Sequence, residues 1–112
     1  MTSFDTTVAE SGDTVIRPTG HLDMLAAPQF KALVASVVMG EHAGVVVDLT
    51  GVDFIDSSGI GAIISGLRTT REAGSEFRIA SVTAQVRAVL ELTNVDRILP
   101  PYESVEAALR DG

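Results

Sequence analysis

Cysteine and tryptophan are absent from this chain, and its aromatic residues number five: Phe4, Phe30, Phe54, Phe77 and Tyr102. Without cysteine there is no disulfide, no thiol nucleophile, no iron–sulfur cluster and no thiolate zinc site. Five dispersed aromatics do not make a base-stacking platform, and core packing is their expected role. Basic residues are scarce as well. Eight Lys+Arg face 15 Asp+Glu, a net charge of −7, which argues against the clustered basic surface that nucleic acid or an anionic membrane requires. No apolar run approaches the roughly 20 residues of a membrane span, and the polar, acidic first 13 residues are the reverse of a secretory leader. A soluble cytoplasmic protein with no membrane insertion is the expectation.

What is present is a globular composition. The chain has 112 residues, 46% of them hydrophobic, enough to bury roughly two-thirds of its extended surface in one domain. No internal repeat, low-complexity tract or linker interrupts it, so residues 1–112 are expected to form a single domain with a core of about residues 4–110. The charge is uneven. Residues 1–66 hold eight acids and two bases, whereas residues 67–112 hold seven acids and six bases. The first part of the fold should therefore present an acidic face.

Two β-prone runs, residues 4–8 and 14–18, flank Ser11-Gly12-Asp13 and predict a hairpin. Gly20-His21-Leu22-Asp23 reads as the loop that ends it. From residue 28 to 39, Phe30, Leu33, Val34, Val37 and Val38 recur at helical spacing, with Pro28 in the first turn and Gly40 as the stop. The β-branched run at residues 45–49 suits a strand covered on both faces. Residues 50–55 lead into Asp56-Ser57-Ser58-Gly59 and a helix over residues 60–73, closed by Gly74. Residues 77–81 read as a strand and 84–92 as a helix closed by Asn94. Residues 97–99 follow as a short strand, then a Pro100-Pro101 break and a helix over 104–110 capped by Ser104. Strands alternating with helices after a hairpin predict an α/β sandwich: a mixed β-sheet entered by the hairpin, linked by right-handed crossovers and covered by about four helices.

Several enzyme motifs are approached and missed. Gly59-Ile60-Gly61 opens a helix after a strand, but Ile64 stands where the dinucleotide fingerprint needs its third glycine. Gly61 and Gly66 have P-loop spacing, yet Leu67-Arg68 occupies the Lys-Ser/Thr position. No serine has the flanking glycines of a nucleophile elbow. Ser57, His21 and Asp23 could form a triad, and Asp23, Asp53 and Asp56 a magnesium site, only if the fold brought them together.

Asp56-Ser57-Ser58-Gly59 is the richest position. It sits at a strand-to-helix junction, where backbone N–H groups lack intrahelical partners. A helix cap accounts for one of its three polar residues, at about 0.5–2 kcal/mol. A serine hydroxyl at such a tip is also a natural phosphoacceptor. Phosphate would add about 1.5–2 negative charges beside Asp56 and Asp53, which helix N–H groups tolerate and a docked acidic or apolar partner does not.

Gly20-His21-Leu22-Asp23, the Ala27-Pro28 helix start, the strand at 45–49 and Phe54-Ile55-Asp56-Ser57-Ser58-Gly59-Ile60-Gly61 together resemble the STAS domain, and within it the bacterial anti-anti-sigma factors (anti-sigma factor antagonists). The resemblance runs over roughly residues 4–110. It implies a STAS-type sandwich and a partner-switching regulator, not an enzyme, with no cofactor and a monomeric free form. In that family the unphosphorylated protein binds an anti-sigma factor that is also a serine kinase, freeing the sigma factor for transcription. The kinase then phosphorylates the first serine after the aspartate, and a metal-dependent serine phosphatase reverses the step. Carried over, the acceptor is Ser57. Asp56 positions it, Ser58 and Gly59 shape the helix start, and Asp23 lies near the site. Two departures stand out: His21 replaces a frequent glutamate, and Leu25-Ala26-Ala27-Pro28 lacks the threonine often found before Ala-Pro. Scaffold subunits of signalling assemblies and accessory subunits of membrane transporters are the alternatives within the same resemblance.

Overall fold

The computed structural model describes residues 2–40 and 44–111. Strand β1 (Ser3–Val8) turns through Gly12 into β2 (Thr14–Leu22), the two pairing antiparallel from Ser3↔Thr19 to Val8↔Thr14. Helix α1 (Ala27–Gly40) leads to β3 (Val45–Asp48), which lies parallel to the first part of β2. A tight turn follows, and β4 (Val52–Ile55) pairs in parallel with the last part of β2. Helix α2 (Ser57–Glu72) crosses back to β5 (Phe77–Ala80), parallel to β3. Helices α3 (Ala84–Leu92), α4 (Val95–Ile98) and α5 (Val105–Arg110) complete the described chain. The sheet is mixed, with β1 at one edge and β5 at the other.

Alternation along β3 explains why its sequence is continuously apolar. Val45 and Val47 point into the larger core with Phe30 and Val34 of α1 and Ile63 and Leu67 of α2. Val46 points to the opposite face, against Val15, Ala80 and Ala108 of α5. A strand clad on both sides has no polar face to display. The helices thus sandwich the sheet, with the short α5 alone covering part of the second face.

Three elements differ from the sequence expectation. β2 does not end at residue 18 but runs on through Leu22, because β4 offers it a second partner beyond a register shift at Gly20, whose φ is +112°. The glycine marks a bulge, not a terminus. Residues 52–55, read as a lead-in, form a strand for the same reason. Residues 97–99, expected as a strand, belong instead to a helical turn: the Leu99 N–H donates to the Val95 carbonyl at 2.8 Å, and Val95 and Leu99 are both buried. Four residues apart on one helical face, these two anchor α4 to the core and override the β-preference of Ile98. With that short turn the helices number five among the described residues. Apart from an earlier start of α2, the remaining helices, Gly74 in the left-handed region at φ +81°, and the Ser104 cap on the Ala107 N–H follow the expectation.

Candidate functional site

The C-terminal ends of β2 and β4 lie side by side, since Leu22 pairs with Ile55. Both strands then break into the segments singled out in the sequence, Asp23 after β2 and Asp56 after β4. This is the end of a parallel sheet at which α/β folds place their functional loops.

Asp56 has extended backbone angles and is the N-cap of α2, its Oδ1 accepting the Gly59 N–H at 3.0 Å. Ser57 and Ser58 are therefore the first two helical residues, one turn earlier than the helix start expected at residue 60. Ser57 is exposed and Ser58 half-buried. The cap is Asp56 alone. Among the described residues the Ser57 side chain has no hydrogen-bonding partner, so its hydroxyl faces solvent at the positive end of a four-turn helix.

Gly59 fixes where that helix sits. A Cβ there would fall inside 3 Å of the Leu22 carbonyl and 2.6 Å from Ile55 Cγ1. The first turn of α2 thus rests directly on the ends of both strands, and only glycine permits the approach. Because Leu22 precedes Asp23, the same contact brings the Asp23 loop against the start of α2. Asp23 itself is a loop organiser. Its Oδ1 accepts the Leu25 and Ala26 N–H groups at 3.1 Å each, and its carbonyl accepts those of Ala26 and Ala27.

A fourth element holds the junction. The Gln85 side chain of α3 accepts the Ile55 N–H at 2.9 Å and donates to the Ile55 carbonyl at 3.1 Å, while the Thr83 hydroxyl donates to the Val52 carbonyl at 2.8 Å. Two side chains thereby satisfy backbone groups of β4 that no further strand serves. Nothing in the sequence marks Gln85 for this role, because its partner lies 30 residues away.

Around the end of β2 runs an open groove lined by Gly20, His21, Asp23, Leu25, Gln29 and Asp53, among others. His21 Nε2 lies 3.6 Å from Asp53 Oδ1, and its ring stands 5.3 Å from that of Phe54. Phe54 is 41% exposed. The core role expected of all five aromatics holds for Phe30 and Phe77, with Phe4 packed on Phe30, but not for Phe54, which lies against the exposed His21 ring and not in the core. Met24 and Leu25 are also exposed here, and two adjacent large apolar residues in a loop were the signal that sequence reasoning passed over. His21 engages Asp53 and Asp23 engages loop amides, so Ser57, His21 and Asp23 are not joined as a triad. Among the described residues, no three Asp, Glu or His side chains are grouped to hold a metal ion.

A mixed sheet entered by a hairpin, clad by crossover helices and carrying Asp-Ser-Ser-Gly at a strand-to-helix junction defines an α/β sandwich of a particular class. The family comparison gives that class its name. The STAS domain family matches residues 5–108, and the chain belongs to it. The Anti-sigma F factor antagonist of Paenibacillus polymyxa is 25% identical over 103 residues, spanning 89% of this chain and 86% of that one. The crystal structure of a candidate anti-sigma factor antagonist from Thermotoga maritima superposes with a TM-score of 0.87 at 27% identity, over 96% of this chain and 92% of that one. The Bacillus cell fate determinant SpoIIAA, solved in its phosphorylated form, shares the fold with a TM-score of 0.72 at 20% identity, over 98% and 100%. Among the described residues no helix is long and apolar enough to cross a membrane.

Proposed function

We propose that this protein is an anti-sigma factor antagonist. Its unphosphorylated form binds an anti-sigma factor that is also a serine kinase, releasing the sigma factor, and phosphorylation at Ser57 ends the binding. The observation that carries this reading is the geometry of Ser57: an exposed hydroxyl in the first turn of α2, while the neighbouring Asp56 makes the cap. The names of the relatives support the class of partner, and SpoIIAA supplies a chain of the same fold known in a phosphorylated form.

In the modification, the Ser57 oxygen takes the γ-phosphoryl group of ATP and loses its proton, and ADP leaves. Asp56 and Gly59 hold the turn so that the acceptor is presented on a rigid mount, Ser58 packs the turn half-buried, and the Asp23 loop forms the adjoining part of the binding face. The added charge sits at a helix N-terminus, which tolerates it, so the fold survives while the surface facing the partner becomes more negative and changes shape. A metal-dependent serine phosphatase restores the binding form. All of these partners share the cytoplasm with the protein, which acts by binding and not as an enzyme.

The test is intact-mass analysis after incubation with the cognate kinase and ATP, beside a binding titration. One phosphate is expected on the wild type and on Ser58→Ala, which keeps Ser57, and none on Ser57→Ala, which keeps binding in ATP. A phosphate that persists on Ser57→Ala and vanishes from Ser58→Ala would move the acceptor. No phosphate on any variant would overturn the switch and leave a STAS scaffold or a transporter accessory subunit.

A further inference from the structure

Strands β1, β4 and β5 each have an outer edge, and the chain itself serves two of them. At β5 the Tyr102 N–H donates to the Ile79 carbonyl and the Ser81 N–H to the Tyr102 carbonyl, both at 3.0 Å. Gln85 and Thr83 serve β4. Strand β1 pairs with β2 on one side and, among the described residues, with nothing on the other. The hairpin decides which main-chain groups face that free side. The Ala9 N–H donates to the Asp13 carbonyl at 2.8 Å, so by alternation Thr7, Asp5 and Ser3 are the residues that bond to β2. Phe4, Thr6 and Val8 turn their N–H groups and carbonyls outward. Pro18 agrees with this phase: it lies opposite Phe4, where β2 owes β1 no donor.

The usual guards against strand pairing are missing from β1. Its sequence Ser-Phe-Asp-Thr-Thr-Val has no proline and no lysine, its register against β2 has no bulge, and its one charge is Asp5. Val8 is 73% exposed, on the face of the strand from which Phe4 packs on Phe30. We infer that β1 pairs antiparallel with β1 of a second copy of this chain, about a two-fold axis through Thr6. That register faces Thr6 with Thr6 and Phe4 with Val8, so every outward N–H and carbonyl of both strands finds a partner. It covers the exposed Val8 with an aromatic ring across the seam and sets Asp5 against Thr7. A slip of two residues one way faces Asp5 with Asp5 and leaves Val8 beyond the end of the other strand; a slip the other way leaves Phe4 there. Hydrogen bonding, apolar cover and charge thus select one register, and this self-complementarity selects a second copy over a strand of another protein. Ser3 pairs with Thr19, so the strand ends that lead to Asp23 and Asp56 lie at the Ser3 end of β1. In the antiparallel seam those ends point apart, leaving both Ser57 hydroxyls free. The monomer implied by the family resemblance is then the dilute state.

The experiment is sedimentation of the full chain over a concentration series, with backbone-amide hydrogen exchange by NMR at both ends of the series. A short seam of main-chain bonds is a small interface, so a dissociation constant between about 10 µM and 1 mM is expected. At high concentration the amides of Phe4, Thr6 and Val8 should exchange severalfold more slowly, while those of Asp5 and Thr7, already bonded to β2, should not change. Thr6→Pro removes an outward N–H at a position where an edge strand accepts proline, and Thr6→Lys opposes two like charges on the axis. Each should weaken the dimer about tenfold or more with the circular dichroism of the wild type. If Thr6→Pro misfolds, Thr6→Lys decides. Glu91→Gln on α3 changes the net charge by the same amount as Thr6→Lys and should leave association intact. A monomer up to about 1 mM, a dimer that protects other amides, Thr6 variants that associate like the wild type, or equal loss in Glu91→Gln would each overturn the inference. No kinase or phosphate enters these measurements, so their outcome and that of the Ser57 assay are independent.

Discussion

Replacing Gly59 by alanine tests the central geometric statement about the site, that the first turn of α2 rests on the ends of β2 and β4. Two opposed terms decide the outcome. Alanine is the better helix former, by about 1 kcal/mol in a helix interior. Against this, its methyl carbon would sit inside 3 Å of the Leu22 carbonyl and 2.6 Å from Ile55 Cγ1, where ordinary contact begins at 3.4 Å. Neither neighbour can yield: Leu22 is fully buried and Ile55 is 1% exposed. The helix must therefore retreat by about 0.8 Å or more, lifting Ile60 and Ile63 from the core. Overpacking of this kind costs about 1–3 kcal/mol and occasionally more, and a clash with main-chain atoms belongs at the upper end. The net expectation is a loss of about 2 kcal/mol, or roughly 8–12 °C in Tm for a chain of this length. Gly61 is the matched control. It lies two residues further along the same helix, where an added Cβ meets nothing within 4 Å, so Gly61→Ala should stabilise by up to about 1 kcal/mol. Thermal and urea unfolding followed by circular dichroism measure both. If Gly59→Ala melts with or above the wild type, or the two substitutions behave alike, the close contact between α2 and the strand ends is refuted.

Asp56→Ala removes the cap that accepts the Gly59 N–H and should cost about 0.5–2 kcal/mol in urea unfolding, with Asp56→Asn recovering most of it. Ser57→Ala, at an exposed and uncapping position, should fall within about 0.5 kcal/mol of wild type in the same assay. Tyr102 is the only tyrosine in a chain without tryptophan, so phenolate absorbance reports it alone. Its hydrogen bond to the Asp111 carboxylate, and secondarily its burial, hold its pKa above the usual value of 10.0. Because the folded value is raised, this contact contributes stability in full below pH 10 and loses it as pH rises through the folded pKa. A spectrophotometric titration should therefore show a midpoint above that of free tyrosine, moving down toward it in Asp111→Asn.

Much of this protein is written in local signals. The unbroken apolar run of β3 announces a strand clad on both faces, and the helical spacing of Phe30, Leu33, Val34, Val37 and Val38 announces α1. Asp-Ser-Ser-Gly after a β-prone run marks the candidate site, because a cap, a helix start and a close-packing glycine are each properties of a few adjacent residues. What the sequence leaves open depends on partners distant along the chain. Whether β2 ends at Gly20 or bulges there turned on β4, some 30 residues later, which supplies the ladder that keeps the strand going. Val95–Ile98 became a helical turn because Val95 and Leu99 find the core on one side. The clamp of Gln85 on Ile55, the outward Phe54 and the groove between His21 and Leu25 arise only when separate elements meet. Residue type and spacing limit what a segment can form, but pairing, facing and burial are properties of the assembled chain, set by which surfaces the whole fold brings into contact.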